Sequence, residues 1–207
     1  MNDKDLKGIF SEISSIMDDN RSYLIELDQQ NGDGDLGISM SAGFKAASDA
    51  LINSEETDMG QLFMAASRAL NEAAPSTLGT ILSLFLMGIA RATRGKDEIT
   101  VEELGGAMID GVNRITERAK SKPGEKTILD AIYPGAVALK ESLTDSFLEA
   151  FLVAYEKASE GSESTRDMKS VHGRAAYFSE KSIGILDGGS VAGKLVFEGF
   201  LRYYQKV

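Results

Sequence analysis

Leu6, Ile9, Phe10, Ile13, Ile16 and Met17 recur at spacings of three and four residues, with Lys7, Glu12 and Asp18 between them. That period places the apolar set on one face of an α-helix, and the same face continues through Leu24 and Leu27. Residues 39–52, 57–73 and 78–93 repeat the pattern, separated by polar breaks. Thr100-Val-Glu-Glu103 has the form of a capping box, in which the threonine hydroxyl and the glutamate three residues on satisfy each other's backbone amides. It opens a helix predicted to reach about Lys120. The segment SKPGEK reads as a loop, and further helices are predicted over about 127–141, 144–160 and 190–205. Strand signals are poor: there is no period-two alternation, and no Asn-Gly turn lies between β-branched runs. No internal repeat, low-complexity tract or linker interrupts the chain. The pattern predicts an all-α bundle or barrel of about eight amphipathic helices in one domain, residues 1–207, with antiparallel neighbours joined by short loops.

Composition narrows the partners. The chain has 207 residues, enough for a substantial core. Its 32 acids against 22 bases give a net charge of −10. Nucleic acid and anionic membrane surfaces both demand a basic face, so neither is an expected partner. The absence of cysteine excludes disulfides, thiol catalysis and thiolate metal sites. The N-terminal MNDKDLKGIF is charged throughout and carries no apolar signal region. The charge-free run from Ala73 to Ala90 is interrupted by Pro75, Ser76, Thr77, Thr80 and Ser83. Its apolar part is far shorter than the ~20 residues of a membrane span. The chain reads as cytoplasmic.

Glycine-rich loops at helix ends stand out from this background. The first, NGDGDLGISM (31–40), sets Asp33 and Asp35 among Gly32, Gly34 and Gly37, with Asp28 shortly before. Three carboxylates on a pliable loop can converge on one point and hold a hard cation through oxygen ligands. An EF-hand frame fails: with Asn31, Asp33 and Asp35 at its first, third and fifth positions, Leu36 falls where glycine is required and Ala42 where the bidentate glutamate belongs. The bland alternative is a solvated acidic turn whose aspartates cap the next helix, although capping needs one aspartate and not three. Mg²⁺ suits so few ligands better than Ca²⁺, because it keeps waters and shares its shell with substrate phosphates. Gly37, Ile38 and Ser39 then sit at a predicted helix N-terminus, where free N–H groups attract anions.

Two other stretches have the same character. AAPSTLGT (73–80) opens an apolar helix and is either a second anion site or a plain Ser/Thr cap. ILDGGSVAGK (185–194) opens the last helix with Asp187, Gly188 and Gly189, as a ligand turn or as an interhelical turn. It lacks the spacing of a Walker A loop. Arg174 can offer a bidentate donor to a phosphate or be an ordinary surface arginine. His172 is the single histidine and, beside Gly173, reads as structural.

Taken in order, Asp28 with GDGDLG (32–37) and Met40, then GEKTILDAIYP (124–134), then GRAAYFSEKSIGILDGGS (173–190) resemble the nucleotide-binding L subunit of dihydroxyacetone kinase. The resemblance covers essentially the whole chain. It implies an antiparallel barrel of eight amphipathic helices with ADP or ATP at one rim. It implies two Mg²⁺ ions bridging the phosphates to Asp28, Asp33 and Asp35, with Leu36, Gly37, Ile38 and Ser39 as the phosphate-contacting turn. Arg174, Asp187, Gly188 and Gly189 match nucleotide contacts of the family, and Ile128 falls where an apolar residue meets adenine. Three places depart from the family pattern. Leu36 stands where GDGDHG has histidine, NEAAPST (71–77) replaces GGASGP and puts Ala74, Ser76 and Thr77 there, and Asp187-Gly188-Gly189 replaces DPG. Such drift marks a divergent branch, whose substrate is dihydroxyacetone or a related small ketose or polyol.

The implied activity is phosphoryl transfer, with the substrate held by a separate K subunit and with ATP or a phosphotransferase-system protein as the donor. A homodimer stays open. Two other readings stand beside it: the nucleotide-binding domain of a fatty-acid-kinase-like system, which shares the aspartate motif, and a non-catalytic acidic helical adaptor.

Overall fold

The computed structural model describes residues 1–207, the side chain of Ser179 left aside. The first apolar face is cut in two at Asn20. The backbone N–H of Asn20 and its side-chain amide both donate to the Ile16 carbonyl, at 3.0 and 2.8 Å. This ends helix α1 (Asp3–Asp19), and α2 (Arg21–Asp28) restarts one residue later with Leu24 and Leu27 still buried. The predicted single helix is thereby corrected to two: side-chain period does not register a one-residue break when the apolar face continues across it.

The remaining helices follow the apolar period, with shifted ends. They are α3 (Leu36–Ile52), α4 (Met59–Ala73), α5 (Thr77–Ala92), α6 (Val101–Ala119), α7 (Leu129–Lys140), α8 (Phe147–Ser164) and α9 (Gly188–Tyr204). Two 3₁₀ helices, Thr165–Asp167 and Arg174–Ser182, fill the connection between α8 and α9. Among the described residues there is no strand, only an isolated bridge between Asn2 and Glu98. No described helix is long and apolar enough to cross a membrane.

From α3 to α9 each helix packs on the next, α1 packs on α3, and α9 returns to α1. Eight antiparallel helices thus close into a barrel, with α2 lying against α3 and α9 at one end. The interior is filled by the apolar stripes. Phe10 meets Phe44 and Phe63 at ring-centroid distances of 6.5 and 6.4 Å, and Phe151 stacks on Phe200 at 4.5 Å. Small residues let backbones approach: a β-carbon on Gly88 would strike the backbone of Gly111 on the neighbouring helix.

The capping box forms as predicted. Thr100 Oγ1 accepts the Glu103 N–H at 3.2 Å, and Glu103 Oε2 accepts the Thr100 N–H at 2.9 Å. Thr100→Ala is expected to cost about 1 kcal/mol, read as a lower urea midpoint at unchanged slope.

Candidate functional site

Asp28, the last residue of α2, organises the loop that follows. Its Oδ2 accepts the backbone N–H groups of Gly34 at 2.8 Å, Asp35 at 3.1 Å and Leu36 at 3.4 Å. The chain turns around this carboxylate with Gly34 in the left-handed region, φ +77°, where a side chain is strained. The result is that one carboxylate oxygen from each of Asp28, Asp33 and Asp35 lies within 4.8 Å of the other two. Asp28 is half-buried and the other two are exposed. Burial, with Asp33 and Asp28 adding their charge, pushes the Asp35 carboxyl above the usual aspartate range. Three anions gathered this way repel one another until a cation joins them. The donor set, all oxygen and partly open, fits a hard divalent cation. Arg174, from the second 3₁₀ helix, places Nη2 2.8 Å from Asp33 Oδ2.

The aspartates form one wall of a cavity of about 810 Å³. Ser76 and Thr77 line it from the start of α5, and Asp187, Gly188 and Gly189 from the start of α9. Ile128 and Leu186 supply an apolar part, and Leu36 and Arg174 complete the aspartate side. Three helix N-termini therefore meet at one cavity. Asp35 is the N-cap of α3, Ser76 Oγ accepts the Gly79 N–H at 3.1 Å in α5, and Asp187 Oδ2 accepts the Ser190 N–H at 2.6 Å in α9. Free first-turn amides and helix dipoles give such a meeting point an affinity for anions. Burial raises the Asp187 carboxyl to about 7, while the hydrogen bond from Ser190 acts in the opposite direction.

Four residues of the expected nucleotide contacts stand apart from this wall. Helix α3 starts at Leu36 and not at 39, so the Ser39 N–H is already committed to the Asp35 carbonyl at 2.9 Å. The first-turn amides without an intrahelical acceptor are those of Leu36, Gly37 and Ile38. The Ile38 side chain is 49% exposed and faces a neighbouring groove with Arg21 and Ser41. Gly37 packs against the Arg21 carbonyl, and Ala74 is fully buried beneath the cavity.

Three further residues shape the site: Lys126 and Asp130, both within the motif GEKTILDAIYP but given no role by it above, and His172, which the sequence reads as structural and the structure places on the cavity wall. Lys126 lines the cavity although it lies in the loop segment SKPGEK. Buried Asp130 accepts the N–H groups of Gly124 at 2.5 Å and Thr127 at 2.7 Å, and so shapes the turn under Lys126. His172 lines the cavity with Nε2 2.6 Å from Glu125 Oε2, a contact that holds the Glu125 carboxyl below its usual range.

Comparison with known proteins agrees with this architecture. The DAK2 domain matches residues 30–202. The chain is 32% identical over 185 residues to a Listeria innocua protein named PEP-dependent dihydroxyacetone kinase 1, ADP-binding subunit DhaL, covering 89% of this chain and 88% of that one. It is 31% identical over 174 residues to the ADP-binding subunit DhaL of the Escherichia coli PEP-dependent dihydroxyacetone kinase, covering 82% of each. Among solved structures, the C. freundii dihydroxyacetone kinase in complex with AMP-PNP and Mg²⁺ superimposes with a TM-score of 0.73 at 23% identity. That alignment covers 95% of this chain and 33% of the kinase chain, so the present chain spans about a third of that protein.

Proposed function

The chain belongs to the DAK2-domain family, and from that premise we propose that it is the ADP/ATP- and Mg²⁺-binding subunit of a dihydroxyacetone kinase-type complex. In this reading residues 1–207 act as one domain in the cytoplasm. A separate K-type subunit holds dihydroxyacetone or a related small ketose. The observation that carries the proposal is the convergence of Asp28, Asp33, Asp35 and Arg174 with three helix N-termini on one cavity.

Each group has a role that its position supports. Asp28, Asp33 and Asp35 hold Mg²⁺, two ions in this proposal, and Mg²⁺ when bound withdraws charge from the phosphate oxygens. Ser76 and Thr77 at the start of α5 line the cavity and can donate hydrogen bonds to phosphate oxygens. Arg174 adds a planar donor beside the aspartates. Ile128, buried at the apolar end of the cavity, offers a surface for the adenine ring. Asp187, Gly188 and Gly189 close the remaining side, where the lack of side chains at 188 and 189 lets a ligand approach the backbone. The reported relatives are named PEP-dependent and ADP-binding, which supports a donor charged from phosphoenolpyruvate over ATP, in this proposal a phosphotransferase-system protein.

Calorimetry tests the reading directly. ADP titrated into the protein with Mg²⁺ is expected to give a single-site binding heat that disappears in excess EDTA. Binding that is absent, or indifferent to the chelator, overturns the proposal.

A further inference from the structure

Lys126 is 3% exposed and holds a left-handed backbone conformation, φ +59°. For a residue with a side chain, that conformation persists only where the surroundings over-determine it. Its Nζ donates to four main-chain carbonyls: Thr165 at 2.8 Å, Met168 at 3.1 Å, Ser182 at 2.7 Å and Ile185 at 2.6 Å. An ammonium has three N–H groups, so all of them point at backbone oxygen and one is shared. A lysine committed in this way is not a phosphate ligand.

The four acceptors come from two stretches far apart along the chain. Thr165 and Met168 follow α8 at the first 3₁₀ helix, and Ser182 and Ile185 follow the end of the second. Carbonyls at helix C-termini carry partial negative charge, which a cation satisfies. Between them the chain runs as a strap that carries His172 and Arg174. Two hydrogen bonds from backbone N–H groups draw the stems of the strap together: Ser170 N–H to Ser182 Oγ at 2.9 Å and Gly184 N–H to the Arg166 carbonyl at 2.7 Å. On the other side, Asp130 of α7 fixes the turn that bears Lys126. Lys126 is therefore the link between the barrel wall and both stems of the strap.

We propose that Lys126 is a positioning residue, whose ammonium clamps both ends of the 165–185 strap to α7 and so holds Arg174 against the aspartate loop. The inference rests on the nucleotide reading above and adds the element that sets the geometry of its arginine. A long apolar side chain could fill the same space, but it would leave the Met168 and Ile185 carbonyls without their donor and the buried Thr165 and Ser182 carbonyls with only the long N–H contacts of Met168 and Ile185, at 3.2 and 3.4 Å. The strap would then open to recover water.

Hydrogen exchange and calorimetry on the full chain test the clamp. In Lys126→Met without nucleotide, amides of the strap are expected to exchange at least about 10-fold faster, while α3 to α6 keep their protection. The Kd for ADP with Mg²⁺ is expected to rise roughly 3- to 10-fold. Adding Arg174→Ala to Lys126→Met should then weaken ADP binding by a much smaller factor than the same substitution does in the wild-type protein, because the arginine is already misplaced. A buried lysine that merely supports the fold would leave that factor unchanged. Lys126→Gln, which keeps two N–H donors, should fall between the two and carries the test if the methionine variant does not fold. Unchanged strap exchange, or an undiminished Arg174→Ala factor, overturns the clamp while leaving the nucleotide reading intact. A wild-type protein that binds no ADP overturns the nucleotide reading itself, and this role of Lys126 with it.

Discussion

Asp35→Asn is expected to reduce Mg²⁺-dependent ADP binding by roughly 100-fold or more, the scale of losing two charge-assisted contacts. The same substitution is expected to raise the melting temperature of the nucleotide-free protein. The opposite signs follow from one cause. Burial and the nearby Asp33 and Asp28 carboxylates push the Asp35 carboxyl upward, so its ionised form is disfavoured in the folded protein until a cation arrives. A group whose folded pKa lies above its unfolded value contributes stability that is present below the ordinary aspartate range and lost as pH rises through the folded value. Without nucleotide, the wild-type protein should therefore gain stability relative to Asp35→Asn as pH falls from 7 toward 4. Asparagine keeps the shape and removes the repulsion. Calorimetry for ADP and thermal melts at both pH values check the two halves. A variant whose helical circular dichroism collapses would return the loop to the role of a structural cap.

The barrel was legible because its cause is local. Six apolar residues at helical spacing in α1, and the capping box at Thr100, are each decided within one or two turns of chain. The aspartate loop was legible for a different reason: Asp28, Asp33 and Asp35 are close in sequence, and like charges set among glycines have few structural uses. What the sequence hides is long-range or exposed. The Arg174–Ser182 helix has 3₁₀ geometry and leaves Tyr177 and Phe178 open to solvent, so no apolar stripe announces it. Lys126 hides more completely. A lysine in a loop reads as solvated, and only the folded chain reveals four carbonyls drawn from residues 39 to 59 positions away. The start of α3 at Leu36 lies before its apolar period becomes readable at 39. The N–H groups of Gly34, Asp35 and Leu36 turn onto Asp28, whose place at the end of α2 no local pattern ties to the start of the next helix.

Arg174→Ala is expected to weaken ADP–Mg²⁺ binding by roughly 1.5–3 kcal/mol, the range of a hydrogen bond to a charged group. Its side chain is 69% exposed and its visible partner, Asp33, is also open to solvent. Exposed ion pairs of this kind contribute about 0–1 kcal/mol to folding, so the nucleotide-free protein should melt at nearly the same temperature with or without the arginine. A diphosphate changes the balance. When Asp33 is engaged by a cation, its hold on the guanidinium weakens, and the donor fork is left beside the phosphate oxygens. Arg174→Lys should recover only part of the loss, since an ammonium supplies a point charge and no planar pair of donors. The penalty should shrink as salt is raised, because the site is open enough for screening. Calorimetry of the three proteins at low and high salt measures each of these quantities. A Kd within twofold of wild type in Arg174→Ala would remove the arginine from the site, and the aspartate loop would then have to hold the metal and its nucleotide with the helix N-termini alone.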